Sequence, residues 1–189
     1  MKKNYIITFL GPDGSGKSTA ISYLIKYLKE KKIGYEYIHL RPRIFNHTEK
    51  PVTDPHGKVA RSNFMSFIKL IYWLMLFKFY FLFVNFISKK IYIFDRYPHD
   101  LLIDPVRYRF QLNKNITETL LNFLPQPDLW INVSGNSNVI WRRKKEIKLY
   151  ETKKQLKLYK KFLKKKFNMI EIKKKNDYLK IIKYLINKI

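Results

Sequence analysis

The first residues in the chain whose types and spacing could do chemistry form a glycine-rich loop that ends in a lysine. Residues 11–18 read Gly-Pro-Asp-Gly-Ser-Gly-Lys-Ser and match G-x-x-x-x-G-K-[ST], in which backbone N–H groups wrap around a polyphosphate. We expect Lys17 to reach the β- and γ-phosphates of ATP and the Ser18 hydroxyl to ligate Mg²⁺. Residues 11–18 are called the phosphate loop below. The predicted nucleotide-binding residues are Gly11, Asp13, Gly14, Ser15, Gly16, Lys17, Ser18 and Thr19.

A second group of chemically capable residues, Asp95-Arg96-Tyr97, follows the apolar run 91–95. Ligands of open α/β sheets bind at the carboxyl ends of strands, where this group is expected to lie. Asp95 there can hold Mg²⁺, directly or through water, and Arg96 can grip a phosphate with two parallel hydrogen bonds. The alternative is that Asp95 and Arg96 form a structural ion pair.

A third group is the basic cluster within residues 141–146, Trp-Arg-Arg-Lys-Lys-Glu. Arginines on a helix there can fold over ATP and neutralise the charge of the transferring phosphoryl group. The alternative is a solvated basic helix face. The predicted catalytic residues are Lys17, Arg96, Arg142 and Arg143.

The elements that must position these groups alternate between strands and helices. Alternation of this kind predicts an α/β fold, with a parallel sheet of five strands covered by helices on both faces. We predict strands at 4–10, 35–40, 91–95, 129–133 and 167–172, helices at 17–32, 116–123 and 177–187, and a Lys-rich helical region at 138–166 that a break can divide. The helix at 116–123 is expected to begin at a cap near Asn115, and residues 41–62 and 96–115 are expected to be loops.

Residues 64–87 are apolar at all but four positions, which are Ser66, Lys69, Lys78 and Asn85. A run of this length satisfies the requirement for a membrane-spanning helix. Two lysines within it oppose that interpretation, since each is expensive at membrane depth. The alternatives are a buried core helix, a helix that forms a homodimer interface, and a helix that contacts an anionic membrane surface.

The composition is strongly basic and contains no cysteine, with a formal net charge of +25. Residues 142–189 carry 19 Lys and Arg against 4 Asp and Glu. Such a charge attracts polyanions in general, although lysine can also be a default surface residue of the proteome. We expect one domain over 1–189, a cytoplasmic location with the inner membrane surface as the alternative, and no specific nucleic-acid partner.

Together these motifs resemble the thymidylate kinase family of P-loop nucleotide kinases, along essentially the whole chain. The resemblance covers the phosphate loop, Leu40-Arg41-Pro42, Asp95-Arg96-Tyr97, Pro127-Asp128-Leu129, the arginines of 142–146, and Gln155 with Tyr159. It implies a P-loop NTPase three-layer fold with a short lid at about 136–150. It also implies transfer of the γ-phosphate of ATP to thymidine monophosphate, with Mg²⁺.

The resemblance also implies roles for individual residues. Asp13 would lie near the acceptor's sugar and the metal, and Arg41 and Arg96 would hold the acceptor phosphate. The loop has no arginine after Asp13, so Arg142 and Arg143 would supply the catalytic positive charge.

The acceptor half departs from the family pattern. Arg41 is not followed by the usual Glu-Pro-Gly-Gly-Thr, the 64–87 run has no arginine, and residues 98–109 lack the family's base-reading residues. Two aspartates and two arginines lie there instead, namely Asp100, Asp104, Arg107 and Arg109, and they suit a hydroxyl-rich or anionic acceptor. One of the aspartates could act as the general base if the acceptor is a hydroxyl. The predicted substrate-binding residues are Asp13, Arg41, Arg96, Tyr97, Asp100, Asp104, Arg107 and Arg109, with Ser18 and Asp95 as metal ligands.

Three functions follow from these residues. The first is a kinase acting on a nucleoside monophosphate, with thymidine monophosphate the default acceptor. The second is a kinase that phosphorylates a sugar or saccharide hydroxyl in surface-polysaccharide or glycolipid metabolism. The third is an ATP-binding regulatory protein that hydrolyses ATP slowly. The complete set of Lys17, Ser18, Asp95, Arg96 and the lid disfavours it, because binding alone does not need an arginine lid.

Overall fold

A computed structural model describes residues 4–42, 59–87 and 89–188 of the chain. Its centre is a five-stranded parallel sheet in the order β2-β3-β1-β4-β5. The strands are β1 (Tyr5–Leu10), β2 (Tyr35–His39), β3 (Ile91–Asp95), β4 (Leu129–Val133) and β5 (Met169–Ile172). Because β1 and β3 are neighbours and run parallel, the phosphate loop after β1 and Arg96 after β3 leave the same edge of the sheet.

Helices cover both faces of the sheet, as the alternation of elements predicted. The helices are α1 (Lys17–Glu30), α2 (Asn63–Ile87), α3 (Lys114–Leu121), α4 (Ser137–Arg143), α5 (Leu149–Leu163) and α6 (Tyr178–Ile186). Helices α1 and α6 pack on one face with Ile7, Phe9 and Ile131 of the sheet. Helices α2, α3 and α5 pack on the other face with Leu10, Phe94 and Trp130. The α/β three-layer expectation is therefore confirmed.

The apolar run of 64–87 forms helix α2, which packs one side against the sheet. Phe77 lies at its centre, with its ring 5.7 Å from that of Phe94 and 5.1 Å from that of Tyr97 between centroids. The ammonium of Lys69 donates to the carbonyl oxygen of Tyr108 at 2.7 Å, which ties α2 to the loop after β3. By length and composition, α2 is the one described helix apolar enough to cross a membrane, over Asn63–Val84, although 33 % of an 18-residue stretch within it is buried inside the protein.

The other side of α2 remains apolar and exposed. Among the described side chains, the exposed large ones on this helix are Phe64, Met65, Phe67, Ile68, Tyr72, Met75, Phe79, Leu82 and Phe83. These residues are called the α2 outer face below. Burial of one side confirms a core helix, and the outer face leaves a surface that is unusual for a monomer.

The break that the sequence prediction allowed in the Lys-rich region of 138–166 is present, since α4 and α5 are separated by residues 144–148. Several element boundaries differ from the prediction. Helix α3 begins at Lys114, and its cap is Asn113 rather than Asn115, because the Asn113 side chain accepts from the N–H groups of Asn115 and Ile116. The loop after β3 contains two short 3₁₀ turns, at Pro98–Leu102 and Val106–Tyr108. Most of the predicted 41–62 loop lies outside the described residues.

Candidate active site

The phosphate loop connects the buried strand β1 to α1 through three glycines with positive φ angles. Gly11 has φ +147°, and a Cβ there would collide with the carbonyl oxygen of Val133 at the end of β4. Gly14 has φ +78°, and its Cβ would lie 2.7 Å from the carbonyl oxygen of Ile140 on α4. Both positions therefore require glycine, for the conformation and for the close approach of a neighbouring backbone.

Lys17 opens α1, and its ammonium is turned into the phosphate loop. Its Nζ donates to the carbonyl oxygens of Gly11 at 2.8 Å and Pro12 at 2.9 Å, and lies 3.8 Å from the carboxylate of Asp13. Burial, with the nearby charge of Arg96, lowers the pKa of Lys17 to about 7. The negative charge of a bound polyphosphate would act in the opposite direction and favour the ammonium.

Asp13 connects the phosphate loop to two arginines from the loop after β3. Its carboxylate accepts hydrogen bonds from the guanidinium groups of Arg96 and Arg107. Burial acts to raise the pKa of Asp13, but the charges of Arg96, Lys17 and Arg107 outweigh it and hold that pKa far below its ordinary value. Asp13 is therefore an ionised carboxylate held between three cations.

Arg96 is buried directly after β3, and its backbone has a φ of +76°, an uncommon conformation for a residue with a side chain. The guanidinium bonds to the carboxylates of Asp13 and Asp100, and it donates to the Tyr159 hydroxyl at 3.4 Å. Burial alone would lower the pKa of Arg96, but Asp100, together with Asp13, raises it well above its ordinary value. A strained backbone that points a paired charge at a phosphate loop is typical of functional sites.

Asp95 and Ser18 offer oxygen ligands that fit Mg²⁺. Asp95 is buried at the end of β3; its Oδ2 accepts from the Tyr37 hydroxyl at 3.3 Å, while its Oδ1 makes no hydrogen bond within the described residues. Ser18 is exposed in the first turn of α1. No described cluster of three or more His, Asp or Glu could hold a metal alone. Mg²⁺ does not need such a cluster, since it is usually bound by one or two protein oxygens together with phosphates and water.

The basic cluster lies on α4, next to the phosphate loop. Arg142 and Arg143 occupy the last turn of α4 and are exposed. The Nη1 of Arg143 donates to the carbonyl oxygen of Gly14 at 3.4 Å. The helix begins at Asn136, whose side chain accepts from the N–H groups of Asn138 and Val139. Of the two predicted arginines, Arg143 is therefore the one shown in contact with the phosphate loop.

Two predicted substrate-binding residues are buried and bonded within the protein. Tyr97 is buried in the aromatic core, and its hydroxyl donates to the carbonyl oxygen of Pro125 at 2.5 Å. Asp100 is fully buried, and its two carboxylate oxygens accept from Arg96, Tyr108 and Tyr159. Both side chains are therefore held by contacts within the protein, and their role in substrate binding stays a prediction.

Of the remaining predicted substrate-binding residues, some contact Asp13 and others contact neighbouring backbone. Arg107 joins the site through Asp13, and its N–H donates to the carboxylate of the buried Asp104 at 3.4 Å. Arg109 donates from Nε to the carbonyl oxygen of Val59 at 2.9 Å and so braces the start of α2. Arg41 lies half-buried just after β2.

The prediction missed Tyr108 and Tyr37 as site residues. Tyr108 stands between two predicted residues in the triplet Arg107-Tyr108-Arg109, and its hydroxyl donates to Asp100 at 3.0 Å. Tyr37 was assigned only to a strand, although its hydroxyl reaches Asp95 from the neighbouring β2. Alternation along β2 could have indicated which of its residues share a face of the sheet with Asp95, but not that Tyr37 bonds to that acid.

Comparisons with known proteins agree with this fold. No protein-family model and no curated protein matches the chain. Deoxyadenosine kinase from M. mycoides, solved with bound dATP, aligns over 98 % of this chain and 100 % of its own, with 20 % identity and a TM-score of 0.61. Thymidylate kinase from Candida albicans aligns over 98 % of this chain and 92 % of its own, with 18 % identity and a TM-score of 0.61. The chain therefore has the fold of these two kinases.

Proposed function

We propose that this protein is an ATP- and Mg²⁺-dependent phosphotransferase that acts on a nucleoside or a nucleotide. The observation that carries the proposal is the position of Asp13, which joins Lys17 of the phosphate loop to Arg96 and Arg107 of the acceptor side. Phosphoryl transfer depends mostly on positioning and charge stabilisation, so the groups that bind the donor and the acceptor must lie close together. Contact with one carboxylate brings Lys17, Arg96 and Arg107 together in this way. The names of the two structural neighbours support the same class of reaction.

In this mechanism Lys17 and the loop N–H groups hold the β- and γ-phosphates of ATP. The loop glycines bring backbone close to the phosphates, and Lys17 adds a point charge. Arg143, next to Gly14, neutralises charge that develops on the transferring group. Ser18 and the unpaired Oδ1 of Asp95 would hold Mg²⁺, which neutralises phosphate charge when bound.

The first candidate acceptor is a nucleoside monophosphate, with thymidine monophosphate the default. The thymidylate kinase likeness supports it, and so does Arg96, which can hold a phosphate if Asp13 yields one of its hydrogen bonds. Asp13 is the more exposed of the two carboxylates on Arg96, which makes it the exchangeable one.

The second candidate acceptor is a hydroxyl, of a nucleoside or of a sugar. One observation favours it: Arg96 and Arg107 are already paired with carboxylates, so a second phosphate enters a site whose cations are largely neutralised. A hydroxyl needs no free cation, and the ionised Asp13 can accept its hydrogen bond. The deoxyadenosine kinase likeness supports a nucleoside in this role.

The regulatory alternative belongs to another class and is distinguished by kinetics. An ATP-binding regulator hydrolyses ATP at a rate that no acceptor changes, whereas a kinase releases ADP faster when its acceptor is present. The test is ADP release by the purified protein with ATP and Mg²⁺, against deoxynucleosides, nucleoside monophosphates and sugars. Acceleration by a nucleoside or nucleotide supports the proposal, acceleration by sugars alone moves it to the saccharide alternative, and a constant rate overturns it.

We also propose that the α2 outer face is covered by a second copy of this chain, in the cytoplasm. A large side chain has about 200 Å² of surface, and the nine residues are 41 % to 70 % exposed, so together they present roughly 1,000 Å² of mostly apolar surface. A stable interface buries about 800 Å² on each partner. Lys78 is exposed at the edge of this face and no acid stands on α2. One lysine is a weak attraction for an anionic membrane, which remains the alternative occupant.

A further inference from the structure

We propose that Asp100 is the positioning residue of Arg96: it fixes the guanidinium beside the phosphate loop and ties it to the helix that follows the basic cluster. The inference rests on the proposed function, because it assigns Arg96 to the acceptor side of phosphoryl transfer. Three contacts carry it, from Asp100 to Arg96, to Tyr108 and to Tyr159.

Asp100 is placed by the local structure of the loop after β3. It lies in the 3₁₀ turn Pro98–Leu102, four residues after Arg96, and its backbone N–H donates to the carbonyl oxygen of Tyr97 at 2.9 Å. Its side chain is fully buried, so the carboxylate is out of reach of an acceptor. A buried carboxylate needs compensation for lost hydration, and Arg96 supplies a charge-assisted hydrogen bond.

Two tyrosines from other parts of the chain complete the support. The Tyr159 hydroxyl, on α5, donates to Oδ1 of Asp100 at 2.9 Å. The Tyr108 hydroxyl, from the second 3₁₀ turn, donates to Oδ2 at 3.0 Å. With Arg96 on Oδ2 as well, the two oxygens have three donors from three segments, and such a carboxylate can adopt few other orientations.

The two carboxylates on Arg96 therefore have different roles. Asp13 is partly exposed and is shared with Arg107 and Lys17, whereas Asp100 is buried and its other partners are neutral hydroxyls. An acceptor that bonds to Arg96 can replace Asp13 while Asp100 keeps the guanidinium in place. Arg96 then needs no reorganisation when the acceptor binds, which is the benefit of a fixed catalytic charge.

Helix α5 connects this support to the donor side. It follows α4, whose Arg143 contacts Gly14 of the phosphate loop, and it carries Tyr159 to Asp100. The basic helix pair is thus in contact with the phosphate loop at one end and with the support of Arg96 at the other. We expect a shift of α5 to move Arg96, because the Tyr159 hydroxyl contacts both Arg96 and Asp100.

The test compares Asp100→Asn and Tyr159→Phe with two controls of the same chemistry. Tyr150→Phe changes an exposed tyrosine on the same helix, and Asp177→Asn changes an acid before α6, on the opposite face of the sheet. We expect Asp100→Asn to lower kcat/KM for the acceptor about 10²-fold. Tyr159→Phe should lower it about five- to tenfold, while the Kd for ATP and both controls stay within about twofold of wild type.

Two further readouts separate positioning from a merely structural role. In an Arg96→Gln background, Asp100→Asn should change kcat/KM by no more than about twofold, because it acts through Arg96. In ¹⁵N NMR of the arginine side chains, rotation of the Arg96 guanidinium should be slow in the wild type and in Tyr150→Phe, and at least about tenfold faster in Asp100→Asn.

Full additivity of the two substitutions, or an unchanged rotation rate of Arg96 in Asp100→Asn, would overturn the proposal. The outcome for the reaction itself is separate. A wild-type protein that no acceptor stimulates contradicts the proposed function, while the NMR comparison still decides whether Asp100 holds Arg96.

Discussion

Arg143 of α4 donates a hydrogen bond to the backbone carbonyl oxygen of Gly14 in the phosphate loop. Gly14 belongs to the loop that we propose binds the phosphates of ATP, so Arg143 contacts the backbone of that loop directly. A catalytic arginine and a solvated basic face remain alternatives for Arg143, and kinetics can distinguish them.

Replacement of Arg143 should affect turnover more than nucleotide affinity. We expect Arg143→Gln to lower kcat about 10²-fold, because the charge that it removes stabilises the transition state more than bound ATP. Steady-state kinetics and ATP binding by calorimetry give the two quantities. Lys153→Gln on α5 removes an exposed positive charge without touching the loop and should leave both unchanged. A kcat within about twofold of wild type for Arg143→Gln would assign this arginine to the solvated face.

Replacement of Asp95 should change the dependence on magnesium. Its Oδ1 makes no hydrogen bond within the described chain, so the residue has a free ligand position at the strand end. Asp95→Asn keeps the shape and removes the charge, and we expect the Mg²⁺ concentration for half-maximal activity to rise at least about tenfold. A magnesium titration at saturating ATP measures this, with Asp177→Asn as the matched control. An identical titration curve for Asp95→Asn would exclude Asp95 from the metal site.

Buried His99 should make the protein less stable in acid. Its ring packs among Tyr97, Trp130 and Phe162, its two nitrogens have no hydrogen-bond partner in the described structure, and Lys166 is the nearby charge. Burial, with the charge of Lys166, lowers the pKa of His99 to about 3. The unfolded chain binds this proton near pH 6.5, so between pH 6.5 and 3 it holds more protons than the folded state, and stability falls as pH falls.

The variant His99→Phe should lack that acid dependence. Between pH 6.5 and pH 5 the wild type should lose about 1.5 kcal/mol more unfolding free energy than the variant. Urea denaturation at the two pH values provides the comparison, and the other acidic groups cancel because both proteins contain them. Equal losses in the two proteins would mean that the His99 ring takes up a proton in the folded state.

The α2 outer face should make the protein a dimer. We expect light scattering after gel filtration to give twice the chain mass, and Phe79→Glu with Leu82→Glu to give a monomer, because two buried charges oppose a closed apolar interface. Phe167→Glu changes an exposed phenylalanine just before β5, away from α2, and serves as the control. A monomeric wild type that sediments with anionic vesicles would instead assign the face to a membrane surface.

The sequence predicted the positions of the phosphate loop and of Arg96 well because the signals are local. Gly11, Gly14 and Lys17 lie in one short loop, and parallel strands bring Arg96 to the same sheet edge. The parallel arrangement itself follows from strands that alternate with helices. These positions follow from the spacing of residues in the motif and from the order of the strands, and they require no knowledge of contacts between distant side chains.

The acceptor side was harder to predict for a physical reason. Whether Asp100 faces an acceptor or an arginine depends on a 3₁₀ turn and on Tyr159, which lies 59 residues away. Local sequence contains neither fact. The possibility of a break between α4 and α5 was predicted, but no glycine or proline indicates its position, and Asn113 and Asn115 are equally good cap residues by type.

Acceptor-dependent ADP release tests the central claim most directly. The acceptors to be tested with ATP and Mg²⁺ are deoxynucleosides and nucleoside monophosphates, including thymidine monophosphate. We predict that at least one of them accelerates ADP release at least about tenfold. Lys17→Ala should abolish that acceleration, because Lys17 provides the charge inside the phosphate loop. An ADP release rate that is the same with every acceptor, or full activity in Lys17→Ala, would contradict the account.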